Sequence, residues 1–331
     1  MFKSRFLLFV FVLAGLPALA WGASISRFVV TGDSRGGDNG INSAILSELV
    51  PAIVAEQADL VVFSGDLTNN GTLSQLEYWV QTFMAPLAAS GIPVYPCRGN
   101  HDGVIEAWNT VFSAILPGNG PSGQEYLTYS VAYDNALFIL FDGLTINQAF
   151  VDEQLEGKTQ PHVFFCNHYP AFAVQHADGL SAFPEARDAF WDSIGNAHGR
   201  TYFTGHDHFY DHTRILDSRG HPIEQYIVGT AGAPLYDWGG TYPDPRVQPV
   251  AHFKSYGYLV VDIDGTEVQL TYKERVAPNV YEATDDVFTY GTPFPTENLP
   301  AAHHAGLIAA VFLVLIMFAL LVYGVRRRLD Y

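Results

Sequence analysis

Positive charge is scarce in this chain. Its 331 residues include 17 Lys and Arg against 34 Asp and Glu, a formal net charge of −17. The few cations favour the ends, where Lys3, Arg5, Arg326, Arg327 and Arg328 face only Asp330. Without residues 1–24 and 305–331, the body keeps 12 basic and 33 acidic residues, a net −21. Such a surface repels phosphate backbones, which argues against general nucleic-acid binding. It suits solubility or the binding of cations. Cysteine is scarcer still, with only Cys97 and Cys166. Two cysteines do not make a disulfide scaffold. Each closes an apolar run, as small buried residues do. A single disulfide in an oxidising compartment is the alternative. Internal repeats are also missing.

Apolar residues are not lacking, at 48% of the chain. That allows a sizeable core, and 331 residues are enough for one large domain or two small ones. Residues 1–23 read as a secretory signal: Lys3 and Arg5, an apolar core from Phe6 to Ala14, then the small residues of Ala18-Leu19-Ala20. An uncleaved anchor is the alternative, although the apolar core is short for a span. Residues 305–325 carry no charge and are about long enough to cross a bilayer. Arg326-Arg327-Arg328 follows at once and should stay in the cytoplasm. The sequence therefore predicts a single-pass protein of the cell membrane. Its body would lie outside, in the periplasm or extracellular space, and 326–331 would form a cytoplasmic tail. Residues 275–304, with Pro278, Pro293, Pro295 and Pro300, show little periodicity and read as a tether.

Between these ends, β-rich runs at 26–30, 60–63 and 92–97 alternate with helical patterns at 41–53, 76–84 and 104–116. This is the signature of a layered α/β domain with parallel strands. Two β-type runs at 128–133 and 136–141 flank the turn residues Asp134-Asn135, which predicts a hairpin. Asp264-Gly265 is a second hairpin signal, within 256–272. The Gly-rich segment 229–245 and residues 171–182 read as loops.

Five polar clusters stand where strands should end: Gly32-Asp33-Ser34-Arg35, Gly65-Asp66-Leu67-Thr68, Gly99-Asn100-His101-Asp102, Asn167-His168-Tyr169-Pro170 and Gly205-His206-Asp207-His208. Ligand chemistry collects at such ends in α/β proteins. Asp33, Asp66, Asn100, His168, His206 and His208 are the donors a pair of cations needs. A carboxylate can bridge two ions, and neutral His and Asn add donors without adding charge. His206 and His208 alternate, so on a regular strand they share a face. Two ions about 3.5–4 Å apart activate a water and hold phosphoryl oxygens, as phosphate-ester hydrolysis requires. His101, beside a proposed ligand, is placed to act as general acid, with Asp102 to orient it or raise its pKa. The donor set suits Mn, Fe or Zn. His176, Tyr169 and Tyr210 lie near ligands in sequence; the ordinary roles are a surface position for His176 and packing for the tyrosines, with pocket lining the alternative.

In these motifs and their order, the chain resembles the calcineurin-like metallophosphoesterases, a family that includes purple acid phosphatases and cyclic-nucleotide phosphodiesterases. The resemblance covers residues 26–272 and gives a domain at 24–274. It implies a four-layer α/β/β/α sandwich of two mixed sheets flanked by helices, and a dinuclear centre of divalent or trivalent ions that hydrolyses phosphomonoesters or phosphodiesters. Asp66 would bridge. Asp33, Asp66 and His208 would hold the first metal; Asp66, Asn100, His168 and His206 would hold the second. Two positions depart from the family pattern. The first motif commonly reads Asp-X-His, and here Arg35 stands in place of that His. A guanidinium remains protonated and cannot ligate. Either the first metal is held more weakly, or Arg35 binds substrate phosphate, the reading preferred here. Purple acid phosphatases place a Tyr three residues after the bridging Asp, and here that position is Asn69. A catalytically degraded member that binds phosphate ligands or a protein is the competing expectation. The sequence predicts no particular protein partner.

Overall fold

The computed structural model describes residues 23–292. The expected signal (but for its last residue), the end of the expected tether, the span at 305–325 and the tail lie outside the described residues. Among the described residues, no helix is long and apolar enough to cross a membrane.

The first half runs β1 (Arg27–Thr31), β2 (Arg35–Asp38), α1 (Ser43–Ala55), β3 (Leu60–Phe63), α2 (Leu73–Trp79), α3 (Ala85–Ala89), β4 (Val94–Pro96), α4 (Ile105–Phe112), β5 (Tyr129–Ala132), β6 (Ala136–Leu140) and α5 (Gln148–Leu155). The second runs β7 (His162–Cys166), α6 (Pro184–Asn196), β8 (Thr201–Thr204), β9 (Tyr210–Leu216), β10 (Pro222–Val228), β11 (Gln248–Phe253), β12 (Gly257–Asp264), β13 (Glu267–Ala277) and β14 (Val280–Gly291).

Two mixed sheets result. One is six-stranded in the order β14-β13-β12-β1-β3-β4; the other is seven-stranded in the order β11-β9-β10-β8-β7-β6-β5. In the first, β1, β3 and β4 are parallel, and β12 closes on β1 antiparallel. In the second, β6, β7, β8 and β10 are parallel. These parallel strands are buried on both faces, so they are continuous runs such as RFVVT and LVVF rather than alternating ones. The expected hairpin forms as β5–β6, and Asp264-Gly265 turns β12 into β13.

Alternation along β6 sorts the layers. Phe138 and Leu140 belong to the core between the sheets, while Leu137 and Ile139 pack with Phe150 of α5 and Phe190, Trp191 and Ile194 of α6. Phe28 of β1 meets Phe138, Phe164 and Phe203 of the other sheet edge-on, at 5.0, 4.8 and 5.9 Å between ring centroids. Such pairs prefer this geometry. On the far side, Leu46 and Leu49 of α1 and Leu76 and Trp79 of α2 cover the six-stranded sheet. Cys97, just past β4, and Cys166, at the end of β7, are buried free thiols with their sulfurs 3.3 Å apart.

One boundary is corrected. Residues 275–291 are not tether but the end of β13 and all of β14, whose register runs from Ala277–Val280 to Glu267–Gly291. β14 is an edge strand with mostly exposed side chains. Its ladder of backbone bonds leaves little trace in hydrophobic periodicity. Inward from it, Asp286 accepts from Tyr210 Oη at 2.6 Å and from His212 Nδ1 at 3.0 Å, joining the edge of one sheet to β9 of the other. The folded body therefore extends to residue 292.

Candidate metal centre

All five clusters fall where the structure ends a strand. Asp33 follows β1, Asp66 follows β3, Asn100 follows β4, His168 follows β7, and His206 and His208 lie between β8 and β9. Backbone bonds tie neighbouring loops together: Asp33 N donates to Gly65 O at 2.9 Å, and Ser34 N to Asp66 O at 3.0 Å. Asp33, Asp66 and His206 all have positive φ, at 60°, 50° and 72°. That conformation is uncommon for residues with a side chain and recurs at functional sites. It turns each side chain out of its strand direction. His206 and His208 thus share no strand face, contrary to the alternation; the left-handed turn at His206 sends the two rings into adjacent pockets. Glycine is required beside them, because a Cβ on Gly99 would stand 2.2 Å from Asp66 Oδ1.

The first pocket is formed by Asp33, Asp66 and His208, whose ligand atoms lie within 4.8 Å of one another. All three are buried. His208 Nδ1 donates to Pro234 O at 2.8 Å, leaving Nε2 as the acceptor, 3.5 Å from Asp33 Oδ1. The second pocket is formed by Asp66, Asn100, His168 and His206. His168 Nδ1 donates to Ser64 O at 2.9 Å, so its Nε2 is a bare lone pair. It lies 2.9 Å from Asn100 Oδ1 and 3.4 Å from Asp66 Oδ1. His206 is oriented by Asp178, which accepts from Nε2 at 3.2 Å. Its Nδ1 then faces Asn100 Oδ1 at 3.1 Å and His168 Nε2 at 3.2 Å. These tautomers follow from the partners each ring has.

The second pocket therefore gathers four acceptors with no donor among them. Acceptors repel one another unless a cation lies between them. Ligand atoms about 2.1 Å from a common ion are separated by about 3.0–3.4 Å, close to the spacings found here. The donor set fits a metal. Burial, its largest cause, pushes the pKa of His168 and of His208 down to about 4. Both rings are then neutral at pH 7, the form that ligates. Burial and the neighbouring Asp66 push Asp33 up well above the usual carboxylate range, an arrangement that a bound cation would relieve.

His101 stands next to this cluster, its backbone N–H donating to Asp66 Oδ1 at 2.9 Å. The ring is held by the carbonyl of Asn69, 2.9 Å from Nδ1. Asp102 does not orient it, contrary to the sequence reading. One Asp102 oxygen accepts from Leu67 N at 3.0 Å and Gly99 N at 3.1 Å, and the other from Thr68 N at 3.0 Å. Asp102 is a buried brace between two motif loops, and burial, then Asp66, raises its pKa to about 7. Arg35 reaches the first pocket: Nη2 lies 3.3 Å from His208 Nε2 and donates to Tyr236 Oη at 2.9 Å.

His176 stands beside the site rather than out on the surface, its ring centroid 4.8 Å from that of His206, with Nδ1 on Asp207 Oδ1 at 2.5 Å. The hydrogen bond to Asp207 raises its pKa. Tyr169 stands 5.0 Å from the His206 ring, whereas Tyr210 stacks on Tyr272 in the core. Asp178, Tyr236 and the carbonyl of Asn69 were not singled out by the sequence. Tyr236 lies in the Gly-rich loop and Asp178 in the loop after His168, both without periodicity. A backbone carbonyl has no sequence signal at all.

The chain belongs to the calcineurin-like phosphoesterase family, whose sequence model matches residues 26–210. No curated protein sequence matches it. Among solved structures it is similar to a purple acid phosphatase from yellow lupin (Lupinus luteus) seeds, with 18% identity and a TM-score of 0.65. That match covers 81% of this chain and 54% of the lupin protein, so this chain spans about half its length. It is also similar to GAP50, the anchor in the inner membrane complex of Plasmodium, with 15% identity and a TM-score of 0.58 over 85% of this chain and 94% of that one. A dimetal phosphatase from Danio rerio matches with 14% identity and a TM-score of 0.55, over 81% of this chain and 99% of that one. At such identities these likenesses show the fold. Family and donor set together support metal-dependent phosphoester hydrolysis.

Proposed function

We propose that the chain hydrolyses phosphomonoesters or phosphodiesters by metal-dependent chemistry at the site centred on Asp66, on the outer side of a membrane. One observation carries the reading: Asp66, Asn100, His168 and His206 turn acceptors towards one another with no donor between them. Bound metal supplies an activated water and neutralises charge on the phosphoryl group. The remaining work falls to side chains. Asp66 faces both pockets, one oxygen towards His168 and the other towards Arg35. Arg35 offers its guanidinium fork to a phosphoryl oxygen. His101 in its imidazolium form keeps Nδ1–H on Asn69 O and gives its Nε2 proton to the leaving oxygen as the ester bond breaks, ending as the neutral Nδ1–H ring. His176 and Tyr169 flank His206. The donors favour Mn, Fe or Zn over an ion that takes oxygen ligands alone. The placement outside a membrane, with the C-terminal span as anchor, rests on the signal-like start and the uncharged 305–325.

Arg35 also favours a second reading, a phosphate-ligand or protein-binding module without turnover. The fold is compatible with such a role, since the similar GAP50 is described as an anchor. The deciding experiment uses the full chain in detergent, stripped by chelator and then given Mn, Fe or Zn. Chromogenic monoester and diester substrates are assayed beside His101→Ala. Turnover restored by metal and lost in the variant is expected, and the preferred ester names the substrate class. Metal binding without turnover on either ester would favour the binding module.

A further inference from the structure

The two pockets that share Asp66 differ in what faces their acceptors. In the second, His168 Nε2 and His206 Nδ1 meet only other acceptors. In the first, the lone pair is in use. His208 Nδ1–H is committed to Pro234 O, so Nε2 accepts, and Arg35 donates to it from Nε at 3.4 Å and Nη2 at 3.3 Å. The same guanidinium lies 3.7 Å from Asp66 Oδ2. It is held from the other side by Tyr236, whose hydroxyl accepts from Nη2 and whose ring stacks on His208.

A single imidazole lone pair cannot accept from a guanidinium and bind a metal at once. Like charge sharpens the conflict, because an ion at Asp33, Asp66 and His208 would sit against a permanent cation. No guanidinium or ammonium reaches the second pocket among the described residues, where the His101 backbone N–H donates to Asp66 Oδ1 and leaves both imidazole lone pairs unused. We propose that Arg35 occupies the first pocket as a fixed cation, so that the chain holds one tightly bound metal ion, at Asp66, Asn100, His168 and His206. The inference rests on the metal-dependent reading above. It assigns the second positive charge of the site to a side chain, which contributes a single charge and N–H donors where an ion would contribute two charges and an open coordination position.

The test reads metal content rather than turnover. The full chain, stripped by chelator, is titrated with Mn²⁺ and followed by metal analysis and electron paramagnetic resonance. One ion per chain with an uncoupled six-line spectrum is expected. Arg35→Ala should take up a second ion at least tenfold more tightly than the wild type does, and show the exchange-coupled spectrum of neighbouring ions. Asn100→Ala should weaken the wild-type ion at least tenfold. Arg35 is partly exposed and Asn100 exposed, so both variants are expected to fold; unchanged unfolding temperatures check this. Two ions of equal affinity in the wild type, or a single ion in Arg35→Ala, would overturn the assignment. So would an Asn100→Ala chain that keeps its ion, because the ion would then sit in the first pocket. If neither the wild type nor Arg35→Ala binds Mn²⁺, or Zn²⁺ offered in its place, the metal-dependent reading itself fails, and this inference with it.

Discussion

The ring of Tyr236 lies on the ring of His208, with centroids 4.2 Å apart and planes 18° from parallel. Its hydroxyl takes a hydrogen bond from Arg35. Tyr236→Phe keeps the stack and removes the acceptor that aims the guanidinium. A hydrogen bond to a charged group is worth about 1.5–3 kcal/mol, and partial exposure reduces it. Inorganic phosphate, as a competitive inhibitor, should bind about fivefold more weakly to the variant, with the unfolding temperature unchanged. Equal inhibition constants would show that Tyr236 does not position Arg35.

Asp178 accepts from the nitrogen of His206 that faces away from the candidate metal. Such partners fix a ligand's tautomer, and their loss typically lowers metal affinity about 10–100-fold. Asp178→Asn should need correspondingly less chelator to lose its ion. Asp178 is well exposed, so the fold should be unaffected. A chelator competition curve that overlays the wild type would remove Asp178 from the site.

Asp102→Ala would leave three backbone N–H groups, at Leu67, Thr68 and Gly99, without their acceptor. At about 1–3 kcal/mol for each buried unmet group, the loss should be roughly 3 kcal/mol or more. Urea unfolding measures it. A loss under about 1 kcal/mol together with abolished turnover would instead restore the role the sequence suggested, that of orienting His101.

His212 is buried between Asp286 on one nitrogen and Glu224 on the other, at 3.0 and 3.1 Å. Burial opposes its charge, but the two carboxylates raise its pKa overall. Asp286 is likewise penalised by burial, yet its bond to His212 holds it below the usual value. The signs define a window. Stability from the raised histidine is fully present below about pH 6.5 and lost as pH rises through its folded value; stability from the depressed carboxylate is present above about pH 4 and lost on acidification. Asp286→Asn should therefore cost about 3 kcal/mol near pH 6, since it breaks a buried pair. The cost should shrink towards pH 9. A difference between wild type and variant that stays constant from pH 6 to 9 would contradict the charged pair.

Much of this was legible in the sequence for a physical reason. Strands such as β1 and β3 are buried on both faces, so they appear as unbroken apolar runs, and the ligand-bearing residues follow each run directly. Hence Asp33, Asp66, Asn100, His168, His206 and His208 could be read as one set before any contact was known. What was hidden depends on geometry that pattern does not encode. Asp102 is next to His101 in the chain, but its side chain turns to the amides of the Asp66 loop. Asp178 and Tyr236 sit in loops that obey no period. The positive φ at His206 breaks the alternation that the sequence predicts for His206 and His208. β14 escaped because an edge strand facing solvent needs few apolar residues.

That last strand has a practical consequence for dissecting the molecule. Cutting the chain at 274, where the hydrophobic pattern fades, would produce a fragment with every candidate ligand intact. It would also remove the carboxylate of Asp286, leaving the buried Tyr210 hydroxyl and one nitrogen of His212 without the acceptor they share. The fragment would carry a full set of donors in a sandwich whose seam had been opened where β14 meets β9. The shortest piece that preserves both ends at residue 292, eighteen residues beyond the point the sequence suggests.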